Sequence, residues 1–185
     1  MAKTLIKSLT ASSSSSLDFV DGTSDVVMDN TYPVYEFHFV NMHPATDSVS
    51  FSFQVNATDD AGGDYDTSTI QSTYFAARHY ENDAAAALDY NTGFDKALGT
   101  TYQVLGEAGN DNDQSISGVL ALYDPSSTTY VKHFTVSTNF SHPGDITMNS
   151  FIAGYINDTT AIDEISFKFS SGNIDAGTIK MFGVS

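Results

Sequence analysis

Residues 49–55 read VSFSFQV, and this strict alternation decides the fold class. In an extended chain Val49, Phe51 and Phe53 share one face, and the Ser and Gln side chains occupy the other. A strand with one apolar and one polar face is half buried, as in antiparallel sheets that pack on a core. The stretch therefore predicts a β-strand that delivers aromatic side chains to a hydrophobic core.

The same period-two alternation recurs in residues 35–39, 130–136, 165–169 and 179–184. Clusters of Gly, Pro, Asn and Asp separate these segments and predict turns, one of them at residues 41–44. Eight or so such strands predict an all-β fold, an antiparallel β-sandwich of jelly-roll-like form. The predicted core residues are Phe37, Phe39, Phe51, Phe53, Phe134, Val136, Phe167 and Phe169.

The 185 residues suit a single domain with one core. Residues 1–16, which end in the run Ser12 to Ser16, are expected to form an N-terminal arm or a first strand. Residues 17–185 are expected to form the single β-sandwich domain. The Ala-rich residues 82–88 are the one helical candidate, and they are expected to form a turn of helix at the surface, within a long loop.

One internal similarity exceeds the general pattern. Residues 39–53 (FVNMHPATDSVSFSF) align without gaps on residues 155–169 (YINDTTAIDEISFKF), a constant offset of 116, with identical Asn, Ala, Asp, Ser, Phe and Phe. Asn41 and Asp47 correspond to Asn157 and Asp163, and such side chains stabilise tight turns. The similarity favours either convergent hairpin chemistry or a pseudo-symmetric pair of hairpins in a fold built from two halves.

The charge balance is strongly acidic: 7 basic and 23 acidic residues give a net charge of −16. Nucleic-acid phosphates and anionic membrane surfaces would repel such a chain, so neither is an expected partner. No segment approaches the roughly 18 apolar residues of a membrane span, and the N-terminus lacks the apolar stretch of a signal peptide. Synthesis in the cytoplasm is expected. The absence of Cys excludes disulfides and thiolate metal sites.

No catalytic motif is present, and neither an enzymatic activity nor any cofactor is expected. Nucleophilic catalysis needs a nucleophile, a base and an orienting group, yet the five histidines occupy unrelated settings. His38 and His133 lie in predicted strands opposite the aromatics, whereas His43 and His142 precede prolines. We therefore predict no catalytic, cofactor-binding or metal-binding residue.

Calcium is the one site chemistry that two loops suggest. Residues 107–113 (EAGNDND) and 59–66 (DDAGGDYD) are rich in the oxygen ligands that calcium prefers. Neither loop has the twelve-residue spacing of an EF-hand. Solvated polar loops are the favoured interpretation, and calcium is predicted not to be required for folding.

Four stretches of the chain are distinctive: GNDNDQS at 109–115, PSSTTYVKHF at 125–134, FIAGYI at 151–156 and SSGNIDAGTIKMFG at 170–183. They resemble a family of uncharacterised virion structural proteins of tailed bacteriophages from marine and other aquatic bacteria. The resemblance covers nearly the whole chain from residue 12. It implies a particle component and carries over no catalytic or ligand residue.

These observations predict a structural protein of a bacteriophage virion, a capsid-surface decoration (cement) subunit acting by protein–protein adhesion. The expected partners are other virion proteins, the major capsid protein or tail proteins, and further copies of the chain, with the N-terminal arm at an interface. The alternatives are a tail appendage subunit and a host-glycan-binding module. The latter would need an exposed aromatic platform, for which the candidates are Tyr32, Tyr65, Tyr74, Tyr80 and Tyr90.

Overall fold

The computed structural model describes residues 2–65 and 68–185, which form two antiparallel β-sheets packed as a sandwich. The described residues contain no helix, and the predicted antiparallel β-sandwich is confirmed. In chain order the strands are β1 (Lys3–Thr10), β2 (Leu17–Val20), β3 (Val34–Pro44), β4 (Val49–Ala57), β5 (Ile70–Tyr80), β6 (Ala86–Tyr90), β7 (Ala97–Gly99), β8 (Gln103–Ala108), β9 (Ile116–Tyr123), β10 (Lys132–His142), β11 (Ile146–Ile156), β12 (Ile162–Phe169) and β13 (Ile174–Val184).

The two sheets differ in size. The large sheet has nine strands in the order β1-β13-β3-β9-β10-β11-β5-β6, with β7 also paired to β5. The small sheet has four strands in the order β2-β12-β4-β8. Because the large sheet is wider than the small one, its two ends extend beyond the layer that covers its centre.

The core lies between the sheets and is built from the aromatic residues that the alternation predicts. All eight predicted core residues are buried, which confirms that part of the sequence analysis. Phe167 lies at the centre, with its ring centroid 5.2 Å from that of Phe39 and 5.5 Å from that of Phe37. Edge-to-face and offset contacts of this kind stabilise a core beyond the area that they bury.

The two similar stretches do not form hairpins, so the hairpin prediction is wrong. β3 and β11 belong to the large sheet, whereas β4 and β12 belong to the small sheet, where they pair with each other. Each stretch therefore crosses from one sheet to the other. The physical reason is that the aromatic faces of β3 and β4 must reach one core from opposite sides, which two paired strands of one sheet cannot do.

Two local predictions are also wrong. Residues 41–44 are not a turn, because β3 continues through them as a bulge with Asn41 at a φ of +50°. A bulge absorbs one extra residue and bends the strand, which Asn tolerates in the left-handed region. Residues 82–88 are not helical, because residues 81–85 connect β5 to β6, and Ala86 pairs with His79. Tertiary pairing overrides the local helix preference of Ala.

The N-terminal segment forms β1 at one edge of the large sheet. It pairs with β13 from Lys3 opposite Val184 to Thr10 opposite Thr178, with a bulge between Leu5 and Lys7. Hydrogen bonds within the chain thus hold residues 3–10. A role of this segment at an interface stays a prediction.

The outer face of the small sheet is polar but is not open to solvent. Gln54 is fully buried, and its amide donates hydrogen bonds to the carbonyl oxygens of Ser68 (3.0 Å) and Thr100 (2.7 Å). The Glu164 carboxylate accepts a hydrogen bond from the backbone N–H of Gly63 at 2.9 Å. Loop segments therefore cover this face, and the large sheet presents the open one.

Candidate interaction surface

The outer face of the large sheet carries no ionisable carboxylate, ammonium or guanidinium group over five adjacent strands. Strands β9, β10, β11, β5 and β6 alternate between core-facing and outward residues. None of the outward residues is Asp, Glu, Lys or Arg, and we call this surface the uncharged face. Its members are Ser117, Val119, Ala121, Tyr123, His133, Thr135, Ser137, Asn139, Ser141, Thr147, Asn149, Phe151, Ala153, Tyr155, Gln71, Thr73, Phe75, Ala77, His79, Ala86, Leu88 and Tyr90.

The absence of charge is unusual for this chain. With a net charge of −16, the chain carries acidic residues in most of its loops and on β2, β3, β8, β12 and β13. Charge reappears on the outer side of the same sheet at β3, where Glu36 accepts hydrogen bonds from Lys3 (2.6 Å) and His38 (2.7 Å). Although partial burial opposes ionisation, these two partners hold the pKa of Glu36 below its usual range. The uncharged face therefore has a defined border.

Three aromatic residues form a ridge across the uncharged face. Phe151 of β11 lies opposite Phe75 of β5, and Phe75 lies opposite Tyr90 of β6. The Phe75 and Phe151 rings stack with centroids 5.2 Å apart and an interplanar angle of 19°. Their residues remain 42% and 37% exposed, and Tyr90 is 53% exposed. We call this row the aromatic ridge.

A trough runs beside the aromatic ridge, one outward position further along each strand. Its floor is made by Thr135, Ala153 and Thr73, which lie opposite one another on β10, β11 and β5. Its far wall is made by His133 and Tyr155, whose rings are 6.0 Å apart. The trough encloses about 390 Å³. Small floor residues between large walls create this depression.

Gly154 allows the strands beneath the trough to approach closely. A Cβ at this position would lie 2.2 Å from the carbonyl oxygen of Gln71 and 2.8 Å from Cζ of Phe134. Any larger residue would push β11 away from β5 or displace the core aromatic ring. The backbone at position 154 therefore fixes the shape of the trough floor.

A second depression continues from the His133 wall toward the end of the sheet. It encloses about 530 Å³ and is lined in part by Tyr123, Tyr130 and Val131. Tyr130 is 71% exposed, and the Tyr123 hydroxyl is 3.1 Å from the Thr135 hydroxyl. Exposed aromatic surface thus extends along both sides of the trough.

The five tyrosines proposed as a glycan platform are not brought together. Tyr74 belongs to the core, where its hydroxyl lies 2.6 Å from that of Ser150 and burial raises its pKa to about 12. Tyr32 packs on Tyr35 with ring centroids 5.9 Å apart. Burial and a hydrogen bond to Glu164 raise the pKa of Tyr65.

Of these five tyrosines, Tyr90 is a member of the aromatic ridge, and Tyr80 is half-buried at the end of β5. Sequence reasoning missed Phe75 and Phe151, which complete the ridge. The missing signal was the order of the strands, since each is flanked in sequence by core residues such as Tyr74 and Ile152.

The first calcium candidate, residues 107–113, does not form a cluster of ligands. Asn110 donates a 3.5 Å hydrogen bond to the Ala45 carbonyl oxygen. The Asp111 carbonyl oxygen accepts a hydrogen bond from the backbone N–H of Gln114 at 2.9 Å. Glu107 lies 3.7 Å from the His142 ring. These contacts stabilise the conformation of the loop.

The second calcium candidate is brought together in part. Asp59 and Asp60 lie near Asp158, and among the described residues these are the three acidic side chains whose ligand atoms all lie within 4.8 Å of one another. Asp64 lies outside this group, and Asp66 lies outside the described residues. The sequence could not reveal Asp158, which comes from the loop between β11 and β12.

A buried lysine lies near this acidic group. Lys132 is fully buried, and its ammonium donates hydrogen bonds to the carbonyl oxygens of Asp158 (3.2 Å) and Thr160. Burial lowers the pKa of Lys132, while the nearby carboxylates, that of Asp158 first, oppose this shift. The Thr160 hydroxyl donates to Asp59 at 3.2 Å. The arrangement has the chemistry of a charged structural network.

The histidines make structural contacts. His38 and His79 lie 2.7 Å and 3.0 Å from the carboxylates of Glu36 and Asp83. His43 lies 3.2 Å from the carbonyl oxygen of Asp111, and His142 accepts a hydrogen bond from the backbone N–H of Gly144. His38 and His133 point away from the core, as the alternation predicts.

No protein-family model, curated protein or solved structure matches this chain. In the described part of the chain, no helix is long and apolar enough to cross a membrane.

Proposed function

We propose that the protein is a structural, non-enzymatic component of a bacteriophage virion, a capsid-surface decoration (cement) subunit that acts by adhesion to neighbouring proteins. The observation that carries this proposal is the uncharged face on a chain with a net charge of −16. The resemblance of residues 109–115, 125–134, 151–156 and 170–183 to virion structural proteins supports the virion part of the proposal.

The physical argument rests on what protein–protein interfaces have in common. Their buried centres are depleted in charged residues and enriched in aromatic ones. The exposed Phe75, Phe151 and Tyr90 give the uncharged face both properties. The carboxylates around it keep the free subunit soluble and limit contact through any other surface. Repetition of one such contact over a symmetric particle multiplies a modest affinity.

Mass spectrometry of gradient-purified virions tests the proposal. We expect the chain in many copies per particle, in a fixed ratio to the major capsid protein. Gold-labelled antibody should mark the capsid surface, whereas label on the tail would favour a tail appendage subunit. Absence of the chain from particles made by cells that express it would contradict the proposal.

A second candidate function, binding of a host glycan, is favoured by one observation. The aromatic ridge lies beside a trough whose floor and walls carry the side chains of Thr73, Thr135 and Gln71. Sugars bind where aromatic rings and uncharged hydrogen-bonding groups adjoin. Glycan-array binding that is lost in Phe75→Ala would support this function over protein adhesion.

A further inference from the structure

The aromatic ridge and the trough are parallel and adjacent. The ridge runs across β11, β5 and β6, and the trough runs across β10, β11 and β5. On β11 and β5, which both rows cross, they occupy successive outward positions, about 7 Å apart in an antiparallel strand. On β11 the ridge residue is Phe151 and the floor residue is Ala153, whereas on β5 they are Phe75 and Thr73. A projecting row therefore lies next to a receiving row on the two strands that both rows cross.

This arrangement is what a self-complementary contact requires. In a twofold dimer each surface patch meets the same patch on the other subunit. A twofold axis that lies in the plane of the face, between the ridge and the trough and parallel to both, places the ridge of each copy over the trough of the other. Rotation about this axis does not change the position of a strand in the direction of the ridge. β11 of one copy therefore faces β11 of the other.

We infer that a second copy of this chain occupies the uncharged face, with the aromatic ridge of each copy seated in the trough of the other. Phe151 of one copy then packs on Ala153 of the other, and Phe75 packs on Thr73. The inference rests on the proposed adhesive function and names the partner at its main surface.

Electrostatics select this face for self-association. Two copies with a net charge of −16 repel each other, and contact through acidic loops would bring like charges together. The uncharged face lets two copies approach without placing carboxylates directly opposite one another. The surrounding loops still repel, and since salt screens exposed charges, association should strengthen as salt concentration rises.

The size of the face is sufficient for a specific dimer. Five strands about 4.8 Å apart and about nine residues long give a footprint of about 700 Å² per copy. Two copies would bury about 1,400 Å² in total, which is within the range of stable, specific interfaces.

Pairing through a sheet edge is the competing mode of self-association, and β1 is built against it. Lys3 and Lys7 lie on this edge strand, and the bulge between Leu5 and Lys7 interrupts its regular hydrogen-bonding pattern. Charged side chains and bulges are devices by which edge strands avoid pairing with another chain. Pairing through the β1 edge is therefore disfavoured relative to a face-to-face contact.

Sedimentation equilibrium of the full chain tests the inference. We expect a dimer whose dissociation constant falls as sodium chloride is raised. Ser137 is exposed on β10 opposite Phe151, in line with the aromatic ridge and one outward position from Thr135 of the trough floor, so Ser137→Asp places two charges in the contact and should weaken the dimer about 100-fold. Ser12→Asp, an exposed change of the same charge outside the face, should leave the dissociation constant unchanged.

Cross-linking tests the predicted alignment, because the chain has no Cys of its own. Ser137 of one copy should face Thr135 of the other, so a mixture of the Ser137→Cys and Thr135→Cys variants should form a disulfide-linked dimer on oxidation. A mixture of Ser12→Cys and Thr135→Cys should not. Cross-linking of the first pair at the predicted position would support the ridge-in-trough contact.

Two results would overturn the inference. One is a parent chain that stays monomeric at about 100 µM in high salt. The other is a dimer that Ser137→Asp leaves intact, which would place the contact elsewhere. If the parent is monomeric but Ser137→Asp still abolishes attachment to virions, the proposed function stands and another protein occupies the face. If a glycan binds a monomer there instead, the second-copy inference is wrong.

Discussion

Ser52 and Lys168 lie directly opposite each other on β4 and β12, and they are equivalent positions of the two similar stretches, since 52 plus 116 is 168. The neighbouring pairs exchange their equivalents: Phe51 is opposite Phe169, the equivalent of Phe53, and Phe53 is opposite Phe167, the equivalent of Phe51. A local twofold axis therefore passes between Ser52 and Lys168. The strand order of the large sheet is consistent with this axis. β9 and β10 form the central pair, β3 is next to β9, and β11 is next to β10.

The local twofold predicts matched energetic roles for equivalent core residues. Phe53→Ala and Phe169→Ala should each reduce the free energy of unfolding by about 3–5 kcal/mol, because both rings are buried and each change leaves a cavity. Tyr130→Ala is the control, since Tyr130 is 71% exposed, and should change it by less than about 0.5 kcal/mol. Urea unfolding measures all three. A Phe53→Ala protein as stable as the parent would contradict the placement of Phe53 in the core.

The fold class and core could be predicted because the alternation in residues 49–55 and 165–169 is long and aromatic. The sheet to which each strand belongs could not be predicted from the sequence. β3 and β4 would show the same alternation whether they paired with each other or faced each other across the core. The bulge at Asn41 was mistaken for a turn because both require residues that tolerate positive φ.

The candidate surface could not be predicted for a different reason. Its rows combine single outward residues from strands far apart in the sequence, such as Phe75 and Phe151. A charge-free face becomes visible only when the order and register of the strands are known. Of the acidic group, the sequence indicated only Asp59 and Asp60, because the third member, Asp158, comes from a distant loop.

Lys132 is expected to stabilise the fold through its hydrogen bonds to the carbonyl oxygens of Asp158 and Thr160. Lys132→Met keeps the apolar stem but removes the donor, and should reduce the free energy of unfolding by about 1.5–3 kcal/mol. Lys168→Met is the matched control, because that ammonium lies 4.0 Å from the centre of the Tyr102 ring and should contribute less than about 1 kcal/mol. Equal effects of the two changes in urea unfolding would contradict this role.

Asp163 should make stability depend on pH. Burial and the nearby carboxylate of Glu164 raise its pKa, so the ionised form is penalised in the folded state above that pKa. The penalty is relieved as the pH falls through the raised pKa. Asp163→Asn should therefore melt at a higher temperature than the parent at pH 7, with a smaller difference at pH 4. Asp113→Asn, an exposed change of the same charge, should show no such convergence.

Calcium is predicted not to be required for folding, because the Lys132 ammonium already lies beside the group formed by Asp59, Asp60 and Asp158. Millimolar calcium should shift the melting temperature by less than about 2 °C. A shift of many degrees that disappears in an Asp59→Asn, Asp158→Asn double variant would show that the group binds the ion.

The central claim is that the uncharged face is the adhesive surface of a virion protein, and attachment to particles tests it most directly. Virions assembled without the chain would be incubated with the parent, Ser137→Asp or Ser12→Asp protein, and the bound protein quantified after sedimentation. The account predicts that the parent and Ser12→Asp proteins sediment with the particles. Ser137→Asp, which cannot join its neighbouring copy through this face and so loses the multiplied contact with the particle, should stay in solution despite an unchanged melting temperature. Equal attachment of all three proteins would contradict it.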